Sequence, residues 1–424
     1  HQPVFPSIES FMAVSQEFVE KSIAHQLGTQ GDGVFSCDTT ARQLAEQVSS
    51  GMAVSWDHAA QAPKRYNRWT ASADRACPWQ IEHPKHTNAV KSTHTLRDIL
   101  QAGADYDFMI DMQDHRVRNI VAENGHMMPM FCFNRLVGRG QGRVLWPLPG
   151  YHDIDSPDFL GNLDPARIPW NDKSDRVVWR GGAGNRGRKG KNGRGNMVRM
   201  HALLRKYKSG EFDYDQTLTV LKTMQRFGFL HRYINDPRFD LGYTNSDGFI
   251  LENEPFLAEY ERPRIQREDF QTYKYIVVLP GNDVGSSLFW TLNSGSVALV
   301  VDCVFETFAT HHFKPWEHFV PIRKGHGDVK KQLKWCDDHQ DECQAMTARA
   351  AETCKLLADP DLRKTILTGV VDGLRRRLDR TAAHSARAVR VTASPAPSNR
   401  NTTLKKMPSD SDAKVPNPRE ISNG

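Results

Sequence analysis

The sequence predicts an α/β protein centred on a parallel strand-loop-helix-strand unit in its second half. Three observations carry this. Residues 275–279 (YIVVL) and 296–301 (SVALVV) are short apolar runs rich in β-branched residues, as strands buried on both faces are. Between them, Pro280-Gly281-Asn282-Asp283 breaks the first strand. Ser286 or Ser287 can cap a helix with Leu288 and Leu292 one turn apart, and Asn293-Ser294-Gly295 ends it. Finally, 424 residues exceed the roughly 250–300 at which a single core stops growing, so more than one folded unit is expected. Ligands of open α/β sheets bind at the carboxyl ends of strands, and phosphates at helix N-termini, so the 280–287 loop is a candidate phosphate site.

The other elements follow in chain order. Residues 1–30 carry helical periodicity through Ile8, Phe11, Met12, Phe18, Val19 and Ile23, and a helix over 41–48 is expected. Residues 60–95 are polar with interspersed Trp and Pro, suited to an irregular strand or a substrate loop. A helix over 96–100 precedes strands at 108–112, 128–133 and 143–149, and a linker over 165–173 leads to a strand at 176–179. Residues 180–196 are rich in Gly, Arg and Lys; Arg186, Arg188, Lys189 and Lys191 read as a solvated loop. Helices are expected over 199–207, 218–227, 329–337, 342–357 and, basic and amphipathic, 360–378. From about Ala383 the chain turns to Ser, Pro, Asn and Lys, a composition that stays disordered.

Composition narrows the function. The net charge of +6 is mild and partly local, poor support for a nucleic-acid partner. No run of about 18 apolar residues exists to span a membrane, and no signal-peptide core opens the chain. Numbering from His1 rather than Met leaves room for a leader or membrane anchor removed ahead of it. The seven cysteines form no CxxC pair, which argues against a zinc ribbon. Cys336 and Cys343, two helical turns apart, could face the same way or be buried free thiols. Asn401-Thr402-Thr403 is a glycosylation sequon, a weak pointer to a secretory route.

Three further details resemble one family. Tyr273-Lys274-Tyr275 before the first strand, Ser294-Gly295-Ser296 before the second, and the run Lys314-Pro315-Trp316-Glu317-His318-Phe319-Val320-Pro321 together match the lipopolysaccharide-modifying and protein O-glucosyltransferases, glycosyltransferase family 90. The similarity extends in weaker form over about 105–323. The resemblance implies a GT-B-like fold of two Rossmann-like domains facing a cleft, with a helical C-terminal extension and a disordered tail. Residues 1–165 would form the acceptor side, 166–380 the nucleotide-sugar side and 381–424 the tail.

The resemblance also implies site residues. Met109-Ile110-Asp111-Met112-Gln113-Asp114 resembles the family's I-N-V-R-D motif, whose last Asp is the catalytic base. That role falls on Asp114, which otherwise merely ends a strand. Gln113 and His115 depart from the family's Arg and Tyr. Trp146-Pro147 resembles a segment lining the acceptor side; a buried core Trp is the other reading. Trp179-Arg180-Gly181-Gly182 resembles the family's donor-binding F/W-R-G-S, and Arg194 or Arg199 would supply a second donor-binding arginine. The loop Asn282, Asp283, Val284, Gly285, Ser286 and Ser287 would hold the pyrophosphate, with Ser287 where animal members have Arg. Glu306 would meet the ribose or lie on a surface helix, and Pro315-Trp316 would pack the last strand. Asp105-Tyr106-Asp107 has the letters of a metal-binding D-x-D but precedes its strand, so no cofactor or essential metal is expected.

The expected activity is inverting transfer of glucose or xylose from a UDP-sugar to a hydroxyl of a protein or polysaccharide, in the lumen of the endoplasmic reticulum or Golgi. The alternatives are a basic nucleic-acid-binding protein using the Gly/Arg segment and the basic helix, or an inactive carbohydrate-binding relative.

Overall fold

A computed structural model describes residues 8–28, 36–37, 40, 43, 54–64, 70–72, 80–82, 88–114, 127–138, 142–184, 186–188, 197–244 and 256–392. The helix expected over 41–48 lies almost wholly outside these residues. In chain order the elements are α1 (Ile8–Leu27), β1 (Val54–Asp57), β2 (Ala62–Lys64), β3 (Thr70–Ser72), β4 (Gln80–Glu82), α2 (Asn88–Gln101), β5 (Phe108–Ile110), β6 (Met130–Cys132), β7 (Arg135–Leu136) and β8 (Arg143–Leu145). The second half holds β9 (Ser174–Gly181), β10 (Arg186–Arg188), β11 (Met197–Arg199), α3 (Met200–Lys208), α4 (Tyr214–Leu221), α5 (Gln225–Tyr233), β12 (Phe239–Tyr243), α6 (Arg267–Phe270) and β13 (Tyr273–Val278). After these come α7 (Leu288–Leu292), β14 (Val297–Val301), β15 (Phe305–Glu306), β16 (Val320–Ile322), α8 (Val329–Asp338), α9 (Gln340–Ala358) and α10 (Pro360–Thr392).

Two five-stranded sheets result, in the orders β2-β1-β5-β6-β8 and β12-β9-β13-β14-β16. In the first, β5, β6 and β8 are parallel, and β1 pairs antiparallel with both β5 and β2. The second is parallel throughout. Both sheets belong to one compact unit, residues 1–382; residues 383–424 form the other.

The second sheet is buried on both faces, as its β-branched runs require. Val177, Trp179, Tyr275 and Val277 face α3, α4 and α5, while Val178 and Ile276 face Phe270 and Trp290. The first sheet's core continues through Leu288, Phe289 and Leu292 of α7 into Ala350, Cys354, Val370 and Val371 of α9 and α10. The C-terminal helix is thereby fastened to the N-terminal half. Tyr106 Oη donates to the carbonyl of Val371 (3.0 Å), Arg375 pairs with Asp105 (2.7 Å), and Arg377 donates to the carbonyls of Leu27 and Gly28 (2.8 Å each).

Four expectations are corrected. The helix read over 218–227 is two helices, because Met224 is extended (φ −78°, ψ 130°) at the start of α5. Arg186 and Arg188, read as loop, lie in β10, which pairs antiparallel with β11, while Lys189 and Lys191 lie outside the described residues. Helix α10 runs to Thr392, past the start of the expected disordered tail, since its Ala- and Arg-rich residues favour helix. Trp316 does not pack the last strand: it is 42% exposed, in a left-handed turn (φ 67°), edge-on to Trp335. The described cysteines, Cys37, Cys132, Cys303, Cys336, Cys343 and Cys354, are free thiols.

Candidate active site

The carboxyl ends of β5 and β6 in the first sheet meet the loop that follows β13 in the second. Asp111, just after β5, is 2% exposed, and its Oδ1 accepts the Gln113 backbone N–H. Three residues on, Asp114 stands exposed in a bend, and Asn282 Nδ2 donates to its Oδ2 at 3.0 Å. A second bridge runs beside it. Asn134, fully buried after β6, donates from Nδ2 to the Gln113 carbonyl (3.3 Å) and to Asp283 Oδ2 (3.1 Å). Both acceptors being oxygens fixes the orientation of that amide. The carboxylate expected as base therefore touches the loop expected to hold the leaving group.

Lys91, near the start of α2, completes this cluster. Its ammonium lies 4.8 Å above the ring of Tyr151. Burial lowers its pKa, and the carboxylates of Asp114 and Asp283 oppose that shift. The group thus combines a carboxylate open to solvent, one amide donor that orients it and a nearby cation, which suits proton abstraction from a hydroxyl.

Past the loop, a cavity of about 190 Å³ lies at the carboxyl ends of β13, β14 and β16. Val278, Pro280, Val284, Gly285, Asp302 and Cys303 are among its walls. It is smaller than the ≈300–1,000 Å³ of a whole drug-sized ligand site, so it would take one ring of a larger ligand. Burial pushes the Cys303 thiol up to about 11, so it stays protonated at neutral pH.

The Ser-Gly-Ser motif holds the opposite end of the sheet together, where β13 and β14 begin. Gly295 has φ +69°, and a Cβ there would sit 2.0 Å from the Pro165 carbonyl oxygen. Ser294 Oγ donates to the Thr291 carbonyl (2.6 Å), and Ser296 Oγ donates to that of Tyr273 (2.7 Å), tying β14 to β13. The motif is structural.

The remaining expected residues divide. Val284 and Gly285 line the cavity; Ser286 is exposed and Ser287 half-buried. Ser287 occupies the N-cap of α7 but its side chain makes no capping bond, and α7 has only five residues, too short for a useful dipole. Gly181 and Gly182 lie at the end of β9. Arg180, however, is committed elsewhere: it pairs with Asp240 (2.6 Å) and donates to the carbonyls of Trp179, Asp240 and Pro263. Arg199 is exposed where β11 meets α3, and Arg194 lies outside the described residues. Glu306 is neither a surface-helix residue nor open to a ribose. It sits in β15, which pairs with β7, and takes the guanidinium of buried Arg135 at 2.7 Å. Trp146 is 0% exposed, edge-on to Phe131, and Pro147 is buried, so both are core rather than acceptor surface. The D-x-D carboxylates are also engaged, Asp105 by Arg375 and Asp107 by the His58 N–H. On the basic helix, Arg375 and Arg377 are tied internally while Lys364 and Arg376 are exposed.

Lys91, Asn134 and Arg226 were missed in the sequence. Asn134 alone carried a signal: it directly follows an apolar strand, where site residues of α/β sheets sit. Arg226 donates to the carbonyls of Gly182 (2.8 Å) and Gly184 (3.5 Å) from the start of α5.

No helix among the described residues is long and apolar enough to cross a membrane. The family model described as Glycosyl transferase family 90 matches residues 162–357, from just before β9 to α9. The expected family is thus found over the second sheet; Asp114 lies outside the matched stretch. O-glucosyltransferase LpsA of Dichelobacter nodosus is 22% identical over 200 residues, 47% of this chain and 49% of that protein. Protein O-glucosyltransferase 3 of Mus musculus is 26% identical over 92 residues, 22% of this chain and 18% of that protein. An uncharacterized protein, 027R, of Frog virus 3 (isolate Goorha) is 30% identical over 90 residues, 20% of this chain and 9% of it. The chain spans about half the length of these curated relatives, or less.

Proposed function

We propose that this chain, a family 90 glycosyltransferase by its second half, transfers glucose or xylose from a UDP-sugar to a hydroxyl of a protein or polysaccharide. The observation that carries the reading is the 3.0 Å contact between Asn282 and Asp114. It joins the carboxylate picked out by its motif to the loop at the carboxyl end of β13. In this reading residues 1–165 serve the acceptor and 166–380 the nucleotide sugar, a GT-B-like division. Asp114 takes the acceptor proton as the hydroxyl attacks the anomeric carbon, and UDP leaves from the opposite face, giving inversion. Asn282 holds the carboxylate in place, and the Lys91 ammonium stands near it. The cavity beside Gly285 would take one ring of the donor. No essential metal is part of the proposal, and a lumenal setting is.

The test is calorimetry with UDP, followed by turnover of UDP-glucose and UDP-xylose on candidate acceptors. UDP should bind, and Asp114→Asn should leave that affinity unchanged while lowering transfer about 10²–10⁴-fold. Absence of UDP binding, with or without added metal, refutes the donor assignment. Undiminished transfer by Asp114→Asn refutes the base.

A further inference from the structure

We propose that Arg226 supplies the positive charge for the donor's diphosphate, an assignment that rests on the proposed function. A diphosphate leaving group needs a cation within reach of its oxygens, and Arg180 is held by Asp240 and three carbonyls. Arg226 comes from α5, outside both loops that sequence patterns mark. Its Nη1 bonds the carbonyls of Gly182 and Gly184, just past β9. Its Nη2 lies against Gly281, just past β13, where an added Cβ would be only 2.9 Å away. Strands β9 and β13 are adjacent and parallel, so the guanidinium spans the crevice between their carboxyl ends. Its plane lies near the ring of Trp179, with Cζ 5.9 Å from the ring centre.

Glycine at 281 lets the loop backbone lie directly on the guanidinium. A phosphate cradled by that loop would meet a cation already positioned by carbonyls on the neighbouring strand. Such preorganisation limits the ordering cost of binding. The same arginine would stabilise the charge that develops on the departing diphosphate, the usual role of a fixed cation in phosphate-leaving reactions.

The experiment compares UDP, by isothermal titration, with uridine, by ligand-observed NMR, on full-length variants. Arg226→Gln stays polar but has neither the charge nor the reach of the guanidinium. It should bind UDP about 10–100-fold more weakly and uridine as the wild type does. Arg226→Lys, retaining charge without the fork, should recover part of the loss. Gly281→Ala, which crowds the guanidinium but leaves it present, should weaken UDP and spare uridine. Equal losses for UDP and uridine would mean that Arg226 only braces the loops and would overturn the proposal. Unchanged UDP affinity in Arg226→Gln would overturn it too while leaving the donor assignment standing. Failure of the wild-type chain to bind UDP would overturn both.

Discussion

Asn134 lets the coupling between the two halves of the site be measured. Replacing it with Ala removes the donor to Asp283 Oδ2 (3.1 Å) and the longer bond to the Gln113 carbonyl (3.3 Å). A hydrogen bond to a charged group contributes roughly 1.5–3 kcal/mol, and a neutral one near the distance limit about 0.5. Asp283 is half-buried, so water recovers part of the loss, and the expected destabilisation is about 2 kcal/mol. Asn134→Asp is the sharper variant, placing a carboxylate where the amide donated to a carboxylate. One of the pair must then hold a proton, with a folded-state pKa raised above the unfolded value near 3.9. A raised carboxyl pKa gives stability that is present below the unfolded value and lost as pH rises through the folded one. Asn134→Asp should therefore be much less stable than wild type at pH 7.5 and closer to it at pH 4.5. Urea unfolding at the two pH values reads this, and turnover at pH 7.5 should fall by more than the unfolded fraction explains. If Asn134→Ala lies within about 0.5 kcal/mol of wild type and Asn134→Asp shows no pH dependence, the bridge does not hold the site together.

Other outcomes are expected. Asp111→Asn should lower stability more than turnover, because Asp111 is buried while Asp114 is open; the reverse pattern would exchange their roles. Gly295→Ala combines φ +69° with a Cβ 2.0 Å from a carbonyl oxygen, so it should cost at least about 3 kcal/mol, and a near-wild-type melting temperature would contradict the turn geometry. Burial holds His152 and His312 at about 3 and His326 at about 4, so they stay neutral in the fold while the unfolded chain takes protons below pH 6.5. Stability should therefore fall as pH drops below 6.5, by about 2 kcal/mol per histidine at pH 5. Asp98, raised to about 6 by burial, has the opposite sign and offsets only about 1 kcal/mol; a flat unfolding free energy between pH 7 and 5 would refute the assignment. Transfer, once assayed, should persist in excess EDTA; complete loss restored by Mn²⁺ would overturn metal independence.

The sequence revealed what local composition determines. Strands β13 and β14 could be read because burial on both faces demands unbroken apolar residues, and the turn between them is written in Pro, Gly and Asn. Strand β1 escaped notice because Val54-Ser55-Trp56-Asp57 is four residues long with two polar ones, and all four are buried by tertiary contacts. Asp240 and Gly242 likewise break the apolar run of β12. At the site, the motif located Asp114 and the 282–285 loop, but nothing local distinguished Arg180, committed to Asp240, from Arg226, which lies against Gly281. That difference arises from the tertiary fold, which brings Arg226 from α5 to the carboxyl end of β9. Trp146 and Glu306 show the converse: residues matching a motif were placed in the core or in an ion pair by the surrounding fold.

The fastening of α10 to the first half bears on how the chain can be made. Tyr106 waits for Val371 and Asp105 for Arg375, while the carbonyls of Leu27 and Gly28 wait for Arg377. During synthesis at about 5–20 residues per second, the first sheet would emerge and stay without these partners for tens of seconds. Its α10-facing apolar surface would meanwhile need shielding, and a nascent chain stalled before residue 370 should be recognised by chaperones as incomplete. Few substitutions within the first half could shorten that wait, because it is set by the order in which the ribosome delivers the parts.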